Sequence, residues 1–222
     1  MSAEHAGPSG SLSFVTPPGW ATAMWAHRAE LLVEQAHLEK KAASAALALL
    51  FRLPAGTGHE RALSSLAREE LVHFERALKL LASRGIDFAP QQPSIYAEQL
   101  KRAAARTMPG RLVDELLLGA IIEGRSCERM QLLATEFAGG DDELAAFYAD
   151  LVAAEARHES LYQQIAADLV GADAARQRLA TLVAHEASVL RSAPFAPRLH
   201  GGLPDTQPDT QPDTLRAEVG GG

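Results

Sequence analysis

Glu70-Leu71-Val72-His73 and Glu155-Ala156-Arg157-His158 decide how this chain is read. Each places a carboxylate and an imidazole three residues apart, on one face of a helix, where both can reach a single point. Each also follows a lone acid on an earlier apolar stretch: Glu39 stands 31 residues before Glu70, and Glu123 stands 32 residues before Glu155. Each half of the chain thus supplies one carboxylate from one helix and a carboxylate–imidazole pair from the next. Four Glu and two His converging inside a four-helix bundle are the ligand set of a carboxylate-bridged di-iron or di-manganese centre.

Neighbouring acids compete for these roles, and the helix rows separate them. Glu39 shares its row with Leu32, Ala36, Ala43, Ala46 and Leu50, whereas Glu34 lies with Leu38, Lys41 and Ala45, a wetter row. Glu70 lies with Leu63, Leu66, His73 and Ala77; Glu69 lies with Ala62, Ser65, Val72 and Arg76. Glu123 sits among Leu116, Gly119, Ala120, Cys127 and Met130, and Glu155 among Tyr148, Leu151, Val152, His158 and Tyr162. A carboxylate on an apolar row is costly unless paired or metal-bound. One such row is unremarkable, and Glu123 could instead pair with Arg125 or Arg157. Four rows in one bundle compensate one another only with cations between them. Oxygen and imidazole donors without thiolate suit iron or manganese. His37, His185, Cys127, Tyr148 and Tyr162 read as supporting or packing residues.

Helical periodicity runs between two irregular ends. The expected helices cover about residues 21–52 (starting at Ala21 or His27), 59–84, 96–106, 112–138, 142–170 and 174–190, with Gly85 as a C-cap and Asp141 or Asp142 as an N-cap. This order gives two helix hairpins joined by a crossover. It predicts an all-α, ferritin-like four-helix bundle with a crossover connection and two extra short helices. The expected organisation is an irregular lead-in over 1–18, a di-iron domain over 19–192 and a low-complexity, disordered tail over 193–222.

Composition narrows the setting. Hydrophobic residues make up 47% and aromatic residues only 5%, an aliphatic interior suited to packed helices. Cys127 is the only cysteine, which excludes an internal disulfide and a thiolate metal site. No apolar run reaches membrane-spanning length and the N-terminus lacks signal-peptide character, so the expected location is the cytoplasm, away from the membrane. The net charge of −7 includes Asp205, Asp209, Asp213 and Glu218 against Arg216 near the end. Charge alone offers no support for nucleic-acid binding. A local cationic set, Lys101, Arg102, Arg106 and Arg111, is the candidate contact for phosphate, with a solvated helix face as the plain alternative.

Beyond the ligands, several stretches carry a family resemblance: Thr16-Pro17-Pro18-Gly19-Trp20, Glu39-Lys40-Lys41-Ala42-Ala43, Leu66 through Phe74, Gly119 through Arg129, and Glu155-Ala156-Arg157-His158. They resemble the bacterial tRNA 2-methylthio-isopentenyladenosine hydroxylases over about residues 14–190. Arg125-Ser126-Cys127-Glu128-Arg129 is the most distinctive part, and Glu34-Gln35 is a departure, standing where an Asp-His pair is common. The resemblance implies an oxygen-dependent monooxygenase that hydroxylates the isopentenyl group of a modified adenosine next to the anticodon. It implies two Fe ions (Mn possible) held by Glu39, Glu70, His73, Glu123, Glu155 and His158. Dioxygen would be the co-substrate, with a reductase as external electron donor and a tRNA anticodon loop as partner. Nothing beyond the metal ligands is singled out as catalytic. A monomer or small homo-oligomer is expected; the rival, a ferritin-like ferroxidase or iron-handling protein, calls for cage assembly.

Overall fold

Breakers and caps divide the described residues into seven α-helices. The computed structural model describes residues 12–92 and 94–204. The helices are α1 (Gly19–Met24), α2 (Arg28–Leu50), α3 (Glu60–Ser83), α4 (Ile95–Lys101), α5 (Gly110–Phe137), α6 (Asp142–Val170) and α7 (Ala172–Ser192), with a 3-10 turn, Trp25–His27, after the first. Gly85, at φ 64°, closes α3: its N–H reaches Ala82 O and the Ile86 N–H reaches Leu81 O. Asp141 caps α6 by accepting from the Leu144 N–H at 3.2 Å. Arg84 grips the same carboxylate through two bonds of 2.7 Å, joining the end of α3 to the start of α6.

α2 packs along α3 and α5 packs along α6, while the two pairs meet more sparsely through α3 and α6. The chain between α3 and α5 crosses over and carries α4, which docks on α7; α7 lies across α5 and α6. This is the ferritin-like bundle that the repeat predicts, with α7 longer than expected, α4 ending already at Lys101, and the first expected helix broken by the Trp25–His27 turn. The apolar interior falls into two clusters. One includes Ala46, Leu63, Leu116 and Ile165, the other Leu32, Ala36, Met130 and Leu151. Positions 39, 70, 123 and 155 lie between these two sets along their helices, so a polar layer divides the core.

Two readings of the sequence are corrected, one an expectation for the C-terminus and one an alternative weighed for Glu123. Order does not end at residue 192: residues 193–204 turn back onto the bundle, where Leu199 and His200 are buried. Arg129 holds this loop by donating to Leu199 O and Gly201 O at 2.7 Å each, and Glu34 accepts from the Leu199 N–H at 2.6 Å. Glu34 is therefore 2% exposed and not on a wet row, because the loop covers it. Residues 1–11 and 205–222, including the Pro-Asp-Thr-Gln repeat, lie outside the described residues.

The second correction concerns Arg125, which does not pair with Glu123. It is wholly buried and binds Glu186 of α7 through Nε (2.8 Å) and Nη2 (3.1 Å). It also donates to Glu128 and to Phe14 O in the lead-in. Glu128 accepts in turn from both the N–H and the hydroxyl of Thr16, and Tyr96 donates to Glu186 at 3.1 Å. The Arg-Ser-Cys-Glu-Arg stretch is thus a clasp that fastens the lead-in, α4, α7 and the returning C-terminal loop to α5.

Candidate metal centre

α2 brings Glu39 inward, α3 brings Glu70 and His73, α5 brings Glu123, and α6 brings Glu155 and His158. All six are 6% exposed or less. Potential donor atoms of Glu39, Glu70, His73 and Glu155 lie within 4.8 Å of one another, and so do those of Glu70, Glu123, Glu155 and His158. Glu70 and Glu155 belong to both groups, so the arrangement offers two positions with two carboxylates between them.

The donor atoms fit cations better than each other. Both oxygens of Glu70 and Nδ1 of both His73 and His158 are buried without a hydrogen-bond partner. His158 Nδ1 lies 2.7 Å from Glu70 Oε1 without the alignment of a hydrogen bond, and His73 Nδ1 lies 3.7 Å from both Glu39 and Glu70, beyond hydrogen-bond reach. Lone pairs turned toward one point, in a layer closed off by apolar residues, are what ligands of a shared ion present.

Residues around the layer hold these side chains in place. Gln35 donates to Glu39 Oε1 at 2.6 Å. Glu69, passed over beside Glu70, meets His158 Nε2 at 3.0 Å and also accepts from Arg157. With Nε2–H given to Glu69, the Nδ1 lone pair of His158 faces the layer, the outer-shell orientation common at metal-bound histidines. Its position before Glu70-x-x-His73 was a readable signal; Ala154 precedes the other pair. His37 instead bonds Ala89 O at 2.9 Å and packs on Phe88, and His185 bonds Gln99 O at 2.9 Å. Both fasten the crossover. Burial pushes the half-buried Cys127 thiol up to about 11, so it stays protonated. Tyr148 and Tyr162 are core residues on α6; the Tyr162 ring lies so near Gly119 that a Cβ there would come within 3.2 Å of it.

Charge in the layer is strongly coupled. Burial pushes Glu39 up to about 8 and Glu123 up to about 7, and it drives Glu155, beside Glu123, well above the carboxylate range. Burial also acts to raise Glu70, but the imidazoles of His158 and His73 overcome it and hold Glu70 at about 2. Burial opposes protonation of His73, yet Glu39 and Glu70 lift it to about 9. The raised groups hold more protons folded than unfolded. Their stabilisation is complete at low pH and is lost as pH climbs through those folded values; Glu70 has the opposite sign, only in acid. The melting temperature of metal-free protein is therefore expected to fall between about pH 5 and about pH 9. Metal uptake in weak buffer should release protons, because ligands bind deprotonated. A metal-free melting temperature flat across that window would contradict this account.

The four cations of the candidate phosphate set fall together around the end of α4 and the start of α5, all exposed. Arg102 pairs with Glu98 at 3.1 Å and Arg111 with Glu115 at 3.0 Å, whereas Lys101 and Arg106 form no ion pair among the described residues. None of the four belongs to the buried layer.

Known proteins resemble this chain over most of its length. The family model described as "tRNA-(MS[2]IO[6]A)-hydroxylase (MiaE)" matches residues 9–201. The chain belongs to this family. A Pseudomonas putida protein named tRNA 2-(methylsulfanyl)-N(6)-isopentenyladenosine(37) hydroxylase is 38% identical over 190 residues, covering 85% of this chain and 91% of the relative. A Salmonella typhimurium protein of the same name is 36% identical over 140 residues, covering 63% of this chain and 50% of the relative. Among solved structures, a Synechococcus protein described as having aldehyde deformylating oxygenase activity superposes with a TM-score of 0.81 at 38% identity, covering 88% of this chain and 98% of that one. Among the described residues, no helix is long and apolar enough to cross a membrane.

Proposed function

We propose that this protein is a tRNA-modifying monooxygenase that hydroxylates the isopentenyl group of 2-methylthio-isopentenyladenosine beside the anticodon. The observation that carries this reading is the buried layer of four glutamates and two histidines within a chain of the hydroxylase family. Glu39 and His73 would hold one iron and Glu123 and His158 the other, with Glu70 and Glu155 between them. Iron held there would supply the reducing chemistry toward dioxygen that side chains lack. Overall, one C–H bond becomes C–OH, the second oxygen atom leaves as water, and an external reductase supplies two electrons with two protons.

The chain's own residues have three tasks. The ligands hold their geometry through Gln35 on Glu39 and Glu69 on His158. The apolar clusters above and below the layer keep bulk water out. A loop base can be splayed into a protein without breaking a duplex, which suits the anticodon loop as the RNA that docks.

Charge reversal of Arg102 and Arg106 to Glu is expected to weaken binding of an anticodon stem-loop severalfold at low salt, with ions per chain unchanged. The slope of affinity against salt should also become shallower. Unchanged affinity at low salt removes this patch from the interface. The direct test of the function is nucleoside mass spectrometry of tRNA from cells with and without the gene. The hydroxylated isopentenyl nucleoside should disappear on deletion, and an unchanged profile refutes the reading.

The Synechococcus neighbour favours a second reading, in which the buried layer serves an oxygenase acting on an aldehyde. Turnover of free aldehydes together with indifference to prenylated RNA would support it.

A further inference from the structure

The two seams between the helix pairs differ. Across α3 and α6, Glu69 meets both Arg157 and His158, and Arg76 meets Asp150 at 2.8 Å. Across α2 and α5 the ties stand at the ends. Arg52 pairs with Glu115 at one end, and at the other the returning loop bridges the helices: Leu199 bonds Glu34, and His200 lies 3.2 Å from Ser126.

Helical register sets what lies between those ties. Glu34, Leu38, Lys41, Ala45 and Arg52 share one face of α2 and its end, and Glu115, Gly119, Ile122 and Ser126 share one face of α5. With both ends of these rows joined, helical register sets the stretch around Leu38 and Ala45 opposite the Ile122 part of the α5 row, while the Tyr162 ring closes the Cβ side of Gly119. Ala42 lies one step toward Glu39. Leu38, Ala42, Gly119 and Ile122 are half-buried and Ala45 is exposed, although they lie within two turns of buried Glu39 or Glu123. The lips are cationic: Lys41 is exposed beside His200 and Glu34, and Arg52 stands at the far end. A separate sign points to an occupant. The side-chain carbonyl of Gln35, on the row Gln35-Leu38-Ala42, has no hydrogen-bond partner although the residue is only 2% exposed. A buried acceptor without a donor is costly unless a ligand supplies one.

We propose that the α2–α5 seam is the substrate entrance. In this assignment, which rests on the functional reading above, Leu38, Ala42, Ala45 and Ile122 form an apolar slot for a short aliphatic group carried on an RNA base. Lys41 and Arg52 contact the phosphates flanking that base, and the Gln35 carbonyl accepts a hydrogen bond from an N–H or O–H of the modified nucleoside. The small side chains of Ala42 and Ala45 leave room for a branched five-carbon chain, and the cationic lips select a polyanionic carrier over a free aliphatic molecule.

The test measures affinity of the iron-loaded protein for two anticodon stem-loops, one with the prenylated adenosine and one with plain adenosine, alongside ions per chain and melting temperature. The wild type should prefer the prenylated RNA at least tenfold. Ala42→Phe and, separately, Ala45→Trp fill the slot and should erase that preference, leaving metal content at the wild-type value. Lys41→Glu should weaken both RNAs about equally. Val72→Trp, on the exposed α3 row of Glu69 and Arg76, should change neither. Survival of the preference in both filled variants, or its loss in Val72→Trp, overturns the entrance while leaving the tRNA reading intact. A wild type that binds neither RNA overturns that reading itself, and the RNA-borne occupant with it.

Discussion

Glu155→Gln is expected to strip both metal positions while making the metal-free protein no less stable. Glu155 stands in both donor groups, so its loss removes a ligand from each position. Glu39→Gln, which belongs to one group only, should leave one ion per chain. Without metal the sign reverses. Burial, and then its neighbour Glu123, press the Glu155 carboxyl well above its ordinary range, and a neutral amide of the same shape escapes that penalty. Its advantage should grow as pH rises, since the raised acid loses stabilisation in that direction. Ligand linkage sets the holo side: at a thousandfold excess over Kd, each lost ion removes about 4 kcal/mol of stability. Glu70→Gln provides the contrast. His158 and His73 depend on the Glu70 carboxylate, so that variant should lose metal and also weaken the metal-free form. Melting curves with and without ferrous or manganous ion, alongside metal analysis, check all three variants. Equal destabilisation of Glu155→Gln with and without metal would contradict the shared-ligand geometry.

The second large effect is expected far from the metal layer. Arg125→Ala leaves Glu186, at 0% exposure, without its bidentate partner and removes a donor from Phe14 O. Breaking a buried pair from one side typically costs about 3–5 kcal/mol, which for a domain of this size is a fall in melting temperature of roughly 10 °C. The double variant Arg125→Met with Glu186→Leu should recover much of that loss, because no charge is left stranded on α7. Thermal denaturation of the single and double variants tests this. A single variant within about 0.5 kcal/mol of wild type, the range of ordinary surface substitutions, would mean that the clasp is not structural.

What the sequence disclosed and what it concealed divide along the range of the interactions. The bundle and its inward acids follow from local periodicity. Glu39 and Glu123 sit on rows of Ala and Leu, and each Glu-x-x-His sets two candidate ligands on one face, with no knowledge of distant contacts required. Glu34 shows the limit. Its helix neighbours include Lys41, so the row reads as wet, yet a loop 165 residues away covers it. Composition misled in the same way at the C-terminus, where few apolar residues beyond 192 suggested a tail. One leucine, one histidine and backbone carbonyls aimed at Arg129 are enough to anchor residues 193–204. Glu69 shares its row with Arg76 and Ser65, which marks it as a surface residue, whereas its role is fixed by His158 on another helix. Helix rows identify which face turns inward; they cannot identify what returns from elsewhere in the chain to meet it.

The most direct measurement follows the fate of oxygen. Purified protein, loaded anaerobically with ferrous ion, would be given a chemical reductant, tRNA bearing 2-methylthio-isopentenyladenosine and isotopically heavy dioxygen, and the tRNA then digested for nucleoside mass spectrometry. The account predicts one heavy oxygen atom in the isopentenyl group, dependent on iron and absent in Glu155→Gln. An unaltered nucleoside from iron-loaded, oxygen-consuming protein would contradict it.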